Sequence, residues 1–208
     1  LAWAKARSAA VHALTFDYGQ RHRIEVAMAK RTARSMGVPQ TILAVDLARF
    51  GGSALTDPGA PLPRCRKPAD IEPGPPPTYV PFRNGVLLAI AVSFAEARGF
   101  DAVVTGFNTV DSPDYPDTRP EFVRAMNSAV KAGTRAASGG PRIRIVAPFV
   151  RMRKSEIIRL GLGLGIDYSR SISCYFVEEA PCGRCSACIL RRRAFAEAGI
   201  ADPLVERL

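Results

Sequence analysis

The chain has 208 residues, 47% of them hydrophobic, which suits one sizeable core with an appendage. No apolar run approaches the roughly 20 residues that cross a bilayer, and the opening LAWAKARSAAVHALTF lacks the basic, apolar, small-residue order of a signal peptide, so a cytoplasmic protein is expected. The net charge of +10 is compatible with RNA or with an anionic small molecule such as ATP, but the arginines are scattered apart from the run Arg191, Arg192, Arg193, and nucleic-acid binding is not indicated.

In chain order, residues 1–8 read as the tail of a helix. VHALTFDYG (11–19) is an apolar, β-rich run that suits a buried strand, and a helix follows from about His22 to Met36, stopped by the Gly37–Pro39 segment. TILAV (41–45) is a second strand. Residues 51–81 hold most of the prolines and form a long irregular stretch, expected to be functional or disordered, with closure over a substrate as one use. A helix from about Arg83 to Arg98, a strand DAVVTGF (101–107), a polar loop (108–119) and a helix from about Arg119 to Ala132 come next. IRIVAP (143–148) is a fourth strand, Lys154–Leu164 a further helix, and about Ile189 to Ala198 the last. Strands alternating with helices of ten or more residues predict an α/β fold: a parallel sheet with helices on both faces, whose ligands sit beyond the carboxyl ends of the strands. The expected division is an α/β domain over 1–168 and a small metal-binding segment with a final helix over 169–208.

Cys174, Cys182, Cys185 and Cys188 have the spacing C-x7-C-x2-C-x2-C. In a reducing compartment such a cluster points to metal, and four thiolates around Zn²⁺ leave no open position, so the site is structural. A redox disulfide at Cys182/Cys185, an iron–sulfur cluster and uncoordinated thiols are the alternatives. Cys65 stands alone and reads as incidental. RKSE (153–156) places Lys154 at a helix start, where it and the free N–H groups can hold phosphate oxygens; a Ser155 cap beside a solvated lysine is the competing reading. In VPFRN (80–84), Arg83 can clamp a carboxylate or phosphate. DSPDYPDTR (111–119) offers Asp111, Asp114, Tyr115, Asp117 and Arg119 for a polar heterocycle or Mg²⁺, or else is a solvated turn. His22 reads as a solvated residue at a helix start. ASGGPR (137–142) follows a helix and precedes a strand, the reverse of a phosphate loop, and reads as a surface connection.

ALTFDYGQRHRIE, TYVPFRN, DAVVTGFNTVDSPDYPDTRPEF, APFVRMRKSEII and SCY…PCGRCSACILR, in this order, resemble the 7-cyano-7-deazaguanine synthases, the preQ0 synthases of queuosine biosynthesis. The resemblance covers nearly the whole chain. It implies an adenine nucleotide α-hydrolase-like fold of the PP-loop ATP pyrophosphatase kind, a ligase activity, ATP, Mg²⁺, one structural Zn²⁺ and a homodimer, with 7-carboxy-7-deazaguanine and ammonia as substrates. Carried over, it makes Cys174, Cys182, Cys185 and Cys188 the zinc ligands. Phe16, Asp17, Tyr18, Gly19 and Gly106 become cofactor-binding, Arg83 and Lys154 catalytic contacts to phosphate or the substrate acid, and Asp111, Tyr115, Asp117 and Arg119 the deazapurine pocket. It also implies an S-G-G-x-D-S phosphate loop ahead of these segments. The sequence holds none before Leu1, so an N-terminally shortened chain with poor activity on its own is the expectation. A tRNA-modifying, thiolation-type ATP pyrophosphatase and a non-catalytic zinc module that binds nucleic acid are the competing readings.

Overall fold

The structure is a computed structural model that describes residues 1–65, 67–71, 73–110, 114–176 and 181–204. After a single helical turn, α1 (Ala2–Lys5), strand β1 (Ala13–Asp17) pairs in parallel with β2 (Gln40–Ala44), Ala13 opposite Gln40 and Asp17 opposite Ala44. Helix α2 (Ile24–Ser35) makes the crossover and packs on β1. Helix α3 (Arg83–Arg98) leads to β3 (Ala102–Val104), and α4 (Pro120–Gly133) carries the chain to β4 (Arg144–Val146), parallel to β3 with Ala102 opposite Arg144. Pro120 suits the first position of α4 because the N–H it lacks has no intrahelical acceptor there. Helices α5 (Lys154–Gly163) and α6 (Ser186–Ala198) complete the chain and pack on each other.

The contacts group into two compact units, residues 1–80 with 154–208 and residues 81–153. This grouping is not the 1–168 and 169–208 division expected from the sequence. The parallel strands and connecting helices of an α/β fold are present. The expected single sheet is not: among the described residues there are two two-stranded parallel sheets, β1–β2 and β3–β4. Helix α2 packs on β1 in one unit, while α3 packs on β3 and α4 on β4 in the other.

In the 81–153 unit, Leu88, Val92 and Ala95 of α3 meet Val130, Ile143 and Ile145, with Phe100, Val103, Phe122 and Met126 around them. The amide of Asn127 on α4 finishes this core. It accepts from the Ile145 N–H at 2.9 Å and donates to the Ile145 carbonyl at 3.0 Å, filling hydrogen bonds that another strand would otherwise fill. In the other unit, Ile158 of α5 packs against Ala194, Phe195 and Ala198 of α6, with Tyr168 edge-on to Phe195.

Helix α6 starts at Ser186, three residues before the Ile189 start expected. Cys185 takes the N-cap position with extended backbone, so the last C-x2-C step spans the helix entry. The 51–80 stretch is packed rather than free. Arg21 donates to the carbonyls of Ala54, Asp57 and Ala60 (3.2, 3.3 and 2.8 Å), the Ala54 N–H reaches Pro77, and Ser53, Leu55, Thr56, Cys65, Thr78 and Val80 are buried.

Candidate metal centre and ligand sites

The four clustered cysteines converge. Their Sγ atoms all lie within 4.8 Å of one another, with Cys174, Cys185 and Cys188 buried and Cys182 half-buried. Among the described residues this is the one group of three or more His, Cys, Asp or Glu side chains placed to hold a metal. Backbone amides point at the sulfurs, among them Phe176 N–H and Cys182 N–H at Cys174 Sγ (3.3 and 3.2 Å) and Arg184 N–H at Cys182 Sγ (3.3 Å). Gly183 supplies the left-handed turn (φ 68°) that brings its flanking residues round the sulfur.

The protons of the set are shared unevenly. A hydrogen bond from the Cys188 side chain, helped by backbone N–H groups and opposed by burial, pulls the Cys185 thiol down to about 5. The same bond, with burial, pushes Cys188 up, and burial is the main cause that raises Cys174 against the N–H bonds it accepts. All five cysteines are free thiols, so the Cys182/Cys185 disulfide is not formed. Four converging thiols, one already stabilised as thiolate and all close enough for one small cation, are a donor set that fits a metal such as zinc.

The segment carrying the cluster is bolted down. Arg191 of α6 donates from Nε and Nη2 to the two carboxylate oxygens of Asp202 (2.7 and 2.8 Å), from Nη1 to the Ser171 carbonyl and hydroxyl (2.9 and 2.8 Å), and from Nη2 to the Tyr168 carbonyl (3.1 Å). Its guanidinium also lies 5.0 Å from the Phe195 ring centre. Every donor of the side chain is engaged. Burial is the largest single influence on the Asp202 carboxyl and raises it, but the Arg191 hydrogen bonds, the Leu204 N–H and the charge of Arg191 together outweigh that and hold it below the ordinary aspartate range. Two further contacts come from sequence-distant parts of the same unit. The Cys65 N–H donates to the Arg184 carbonyl at 2.6 Å and the Arg64 guanidinium lies 5.4 Å from the Phe176 ring, so Cys65, expected to be incidental, is buried beside the cysteine segment.

His22 overturns its expectation of solvation. It is 4% exposed, its Nε2 is 2.9 Å from Glu25 Oε1, and its ring meets the edge of Tyr175, next to Cys174, at 5.9 Å. The residues before it form the carboxyl end of β1. There Tyr18 is buried and its N–H donates to Gln20 Oε1 at 2.8 Å, the Gln20 amide reaches back to the Phe16 carbonyl, and Asp17 accepts from the Gly19 N–H at 3.4 Å and lies 3.5 Å from Arg23. Phe16, Asp17, Tyr18 and Gly19 therefore share one tight turn. Lys154 is the first residue of α5 in the same unit, and Ser155 behind it is buried inside the helix.

In the 81–153 unit the turn Pro116–Thr118 packs on both α3 and α4. Asp117 is 3% exposed. Its Oδ2 accepts from the Asn84 N–H at 2.9 Å, capping α3 across the unit, and its Oδ1 has no partner. This ties the turn to the start of α3, where the Arg83 guanidinium approaches the side-chain Oδ1 of Asn84 at 3.4 Å; Tyr115 precedes the turn and Arg119 holds the N-cap position of α4. Gly106 follows β3, and a side chain added there would meet open space. Asp111 lies outside the described residues. Sequence reasoning missed Gln20, Asn84, Arg21 and Arg191. Arg191 was hidden in a basic run.

A family model described as "Queuosine biosynthesis protein QueC" matches residues 1–199. The chain is 45% identical over 205 residues to the 7-cyano-7-deazaguanine synthase of Anaeromyxobacter dehalogenans, covering 98% of this chain and 88% of that protein. It is 46% identical over 202 residues to the synthase of that name from Thermosynechococcus vestitus (97% and 87%), and 43% identical over 210 residues to that from Kineococcus radiotolerans (100% and 91%).

Proposed function

Because the chain belongs to the QueC family of queuosine biosynthesis proteins, we propose that it is a 7-cyano-7-deazaguanine synthase, an ATP-dependent carbon–nitrogen ligase. The observation that carries this reading is identity of 43–46% to synthases of that name along nearly the whole chain. The substrate is 7-carboxy-7-deazaguanine. Its carboxylate is anionic and resonance-stabilised, and ammonia does not attack it. Transfer of AMP from ATP to a carboxylate oxygen releases pyrophosphate and makes that oxygen a leaving group. Ammonia then adds at the carbon, AMP departs and an amide forms. A second ATP adenylates the amide oxygen; loss of AMP and protons from nitrogen leaves the nitrile. No covalent protein nucleophile enters these steps, and the protein supplies position and charge neutralisation.

In this reading Arg83 pairs with the substrate carboxylate or a phosphate, and Lys154, at the first turn of α5, with phosphate oxygens. The turn Phe16–Gly19 contacts the nucleotide within the first unit, and Tyr115, Asp117 and Arg119 contact the deazapurine within the 81–153 unit. The described residues show no carboxylate cluster for Mg²⁺, so no protein ligand and no step is assigned to it. Zn²⁺, held by Cys174, Cys182, Cys185 and Cys188, supplies cross-linking of the C-terminal segment rather than chemistry. The parallel pairs with helical crossovers are the units from which an adenine nucleotide α-hydrolase-like fold is built. A cytoplasmic homodimer fits the reading, and no described helix is long and apolar enough to cross a membrane. A thiolation-type reading would call for an accessible catalytic cysteine, whereas four cysteines converge on one centre and Cys65 is buried.

The test is incubation of the purified protein with 7-carboxy-7-deazaguanine, ATP, Mg²⁺ and ammonium, with mass spectrometry of the heterocycle. Nitrile formation with release of AMP and pyrophosphate is expected. Unchanged acid under conditions where a related synthase converts it would overturn the proposal.

A further inference from the structure

The segment just after β1 is held more firmly than a surface turn needs. Gln20 is 3% exposed, and both ends of its side-chain amide go to the turn Phe16–Gly19: Oε1 accepts from the Tyr18 N–H at 2.8 Å and Nε2 donates to the Phe16 carbonyl at 3.4 Å. The Asp17 carboxylate accepts from the Gly19 N–H at 3.4 Å, and the Asp17 carbonyl accepts from the Val45 N–H at 2.8 Å. Gly19 has φ 83°, and a methyl group added there would come within 2.8 Å of the Ala48 side chain, on the short turn Leu47–Phe50 that follows β2. Every peptide group from Phe16 to Gly19 is thus tied by one of these bonds, and the orientation of the turn is set.

Burying a neutral amide costs free energy, and a methionine of similar length would fill the same space without that cost. What the amide adds is the shape of the turn. The chain beyond it is anchored independently. The Arg21 N–H donates to the Leu55 carbonyl at 2.9 Å, His22 is buried against Tyr175, and Ile24 packs on the cysteine cluster. Gln20 therefore reaches back to the turn from a fixed base instead of moving with it. In parallel α/β units ligands lie beyond the carboxyl ends of the strands, and this turn is the carboxyl end of β1. Backbone groups read a purine edge well only when their directions are set beforehand, because hydrogen bonds weaken steeply with misalignment.

We propose that Gln20 is the positioning residue for base recognition: its amide holds the turn Phe16–Gly19 in the one shape whose backbone groups meet the purine edge of the nucleoside triphosphate. The inference rests on the synthase reading, which puts the nucleotide at this turn, and deepens it by naming the side chain that makes the turn selective for ATP. Gln20 touches neither base nor phosphate and acts through the backbone it orients.

The experiment measures binding of ATP, GTP and inorganic tripolyphosphate, each with Mg²⁺, by equilibrium dialysis against the protein and its Gln20→Met variant. Tripolyphosphate carries the phosphate charge and no base. Loss of both side-chain hydrogen bonds is expected to raise the Kd for ATP about 3- to 30-fold and to leave those for GTP and tripolyphosphate within about twofold, so the preference for ATP over GTP falls by about the same factor. A merely structural glutamine would shift ATP and tripolyphosphate together. That result, or a Kd for ATP within about twofold of the native value, overturns the inference. Should Gln20→Met melt below the assay temperature, Gln20→Asn, which keeps the amide but is too short to reach both partners, takes its place with the same outcomes. The binding readout separates this from failure of the synthase reading. A protein that makes no nitrile but shows the base-specific loss gives up the synthase reading and keeps the role of Gln20. One that makes nitrile and binds ATP unchanged in the variant loses the role of Gln20 alone, and a native protein that binds ATP no tighter than tripolyphosphate overturns it outright.

Discussion

Replacing Arg191 with methionine removes one side chain from four partners at once. Arg191 and Asp202 are 10% and 8% exposed, and the pair is bidentate at 2.7 and 2.8 Å. Methionine keeps the packing on Phe195 but leaves the Asp202 carboxylate with only the Leu204 N–H and removes the Arg191 donor from the carbonyls of Ser171 and Tyr168. Removing one partner of a buried ion pair costs about 3 kcal/mol at the low end of the usual range, the end that suits a pair with some solvent contact. For a chain of this size, about 2–4 °C per kcal/mol gives a fall in thermal midpoint of about 6–12 °C. Adding Asp202→Leu removes the stranded charge and is expected to recover a substantial part of that loss. The sign with pH follows from the lowered carboxyl of Asp202. Its contribution is fully present above the ordinary aspartate range near pH 4 and is lost as pH falls through the lower folded-state value. Circular dichroism melts of the native, single and double variants read all three effects. A midpoint within about 2 °C of native for Arg191→Met, or a double variant weaker than the single by the full cost of both, would refute the reasoning.

Elemental analysis of the purified protein is expected to find one zinc per chain. Stripping it with a strong chelator is expected to release the cluster and lower the thermal midpoint, and acid is expected to weaken binding as the thiols take up protons. Metal-free protein with an unchanged melt would exclude a structural metal. His22→Ala is expected to cost about 2 kcal/mol in urea unfolding, from loss of the Glu25 pair and the Tyr175 edge contact, against less than about 0.5 kcal/mol for a solvated histidine.

The periodic elements were legible because their signals are local. The alternation of apolar runs with helical segments located all four strands and the main helices, and the cysteine spacing located a cluster whose sulfurs do converge. What escaped depends on contacts far apart in sequence. His22 looks like a polar residue at a helix start, yet it is buried and its ring meets Tyr175, which lies far along the chain. The prolines at 51–81 read as a loop awaiting closure, yet Arg21 gathers three carbonyls of that stretch around itself. Asp117 fits a turn on local grounds, while its bond to Asn84 spans 33 residues. The failure to foresee two separate strand pairs has the same root, since strand existence is a local property and lateral pairing is not.

The Asn127 amide has a bearing on assembly. By imitating a neighbouring backbone at Ile145, it blunts the outer border of β4, where unpaired peptide groups would otherwise recruit extended segments from other molecules. Its replacement by leucine would keep the bulk but strip the disguise, and edge-to-edge clumping at high concentration is the expected result.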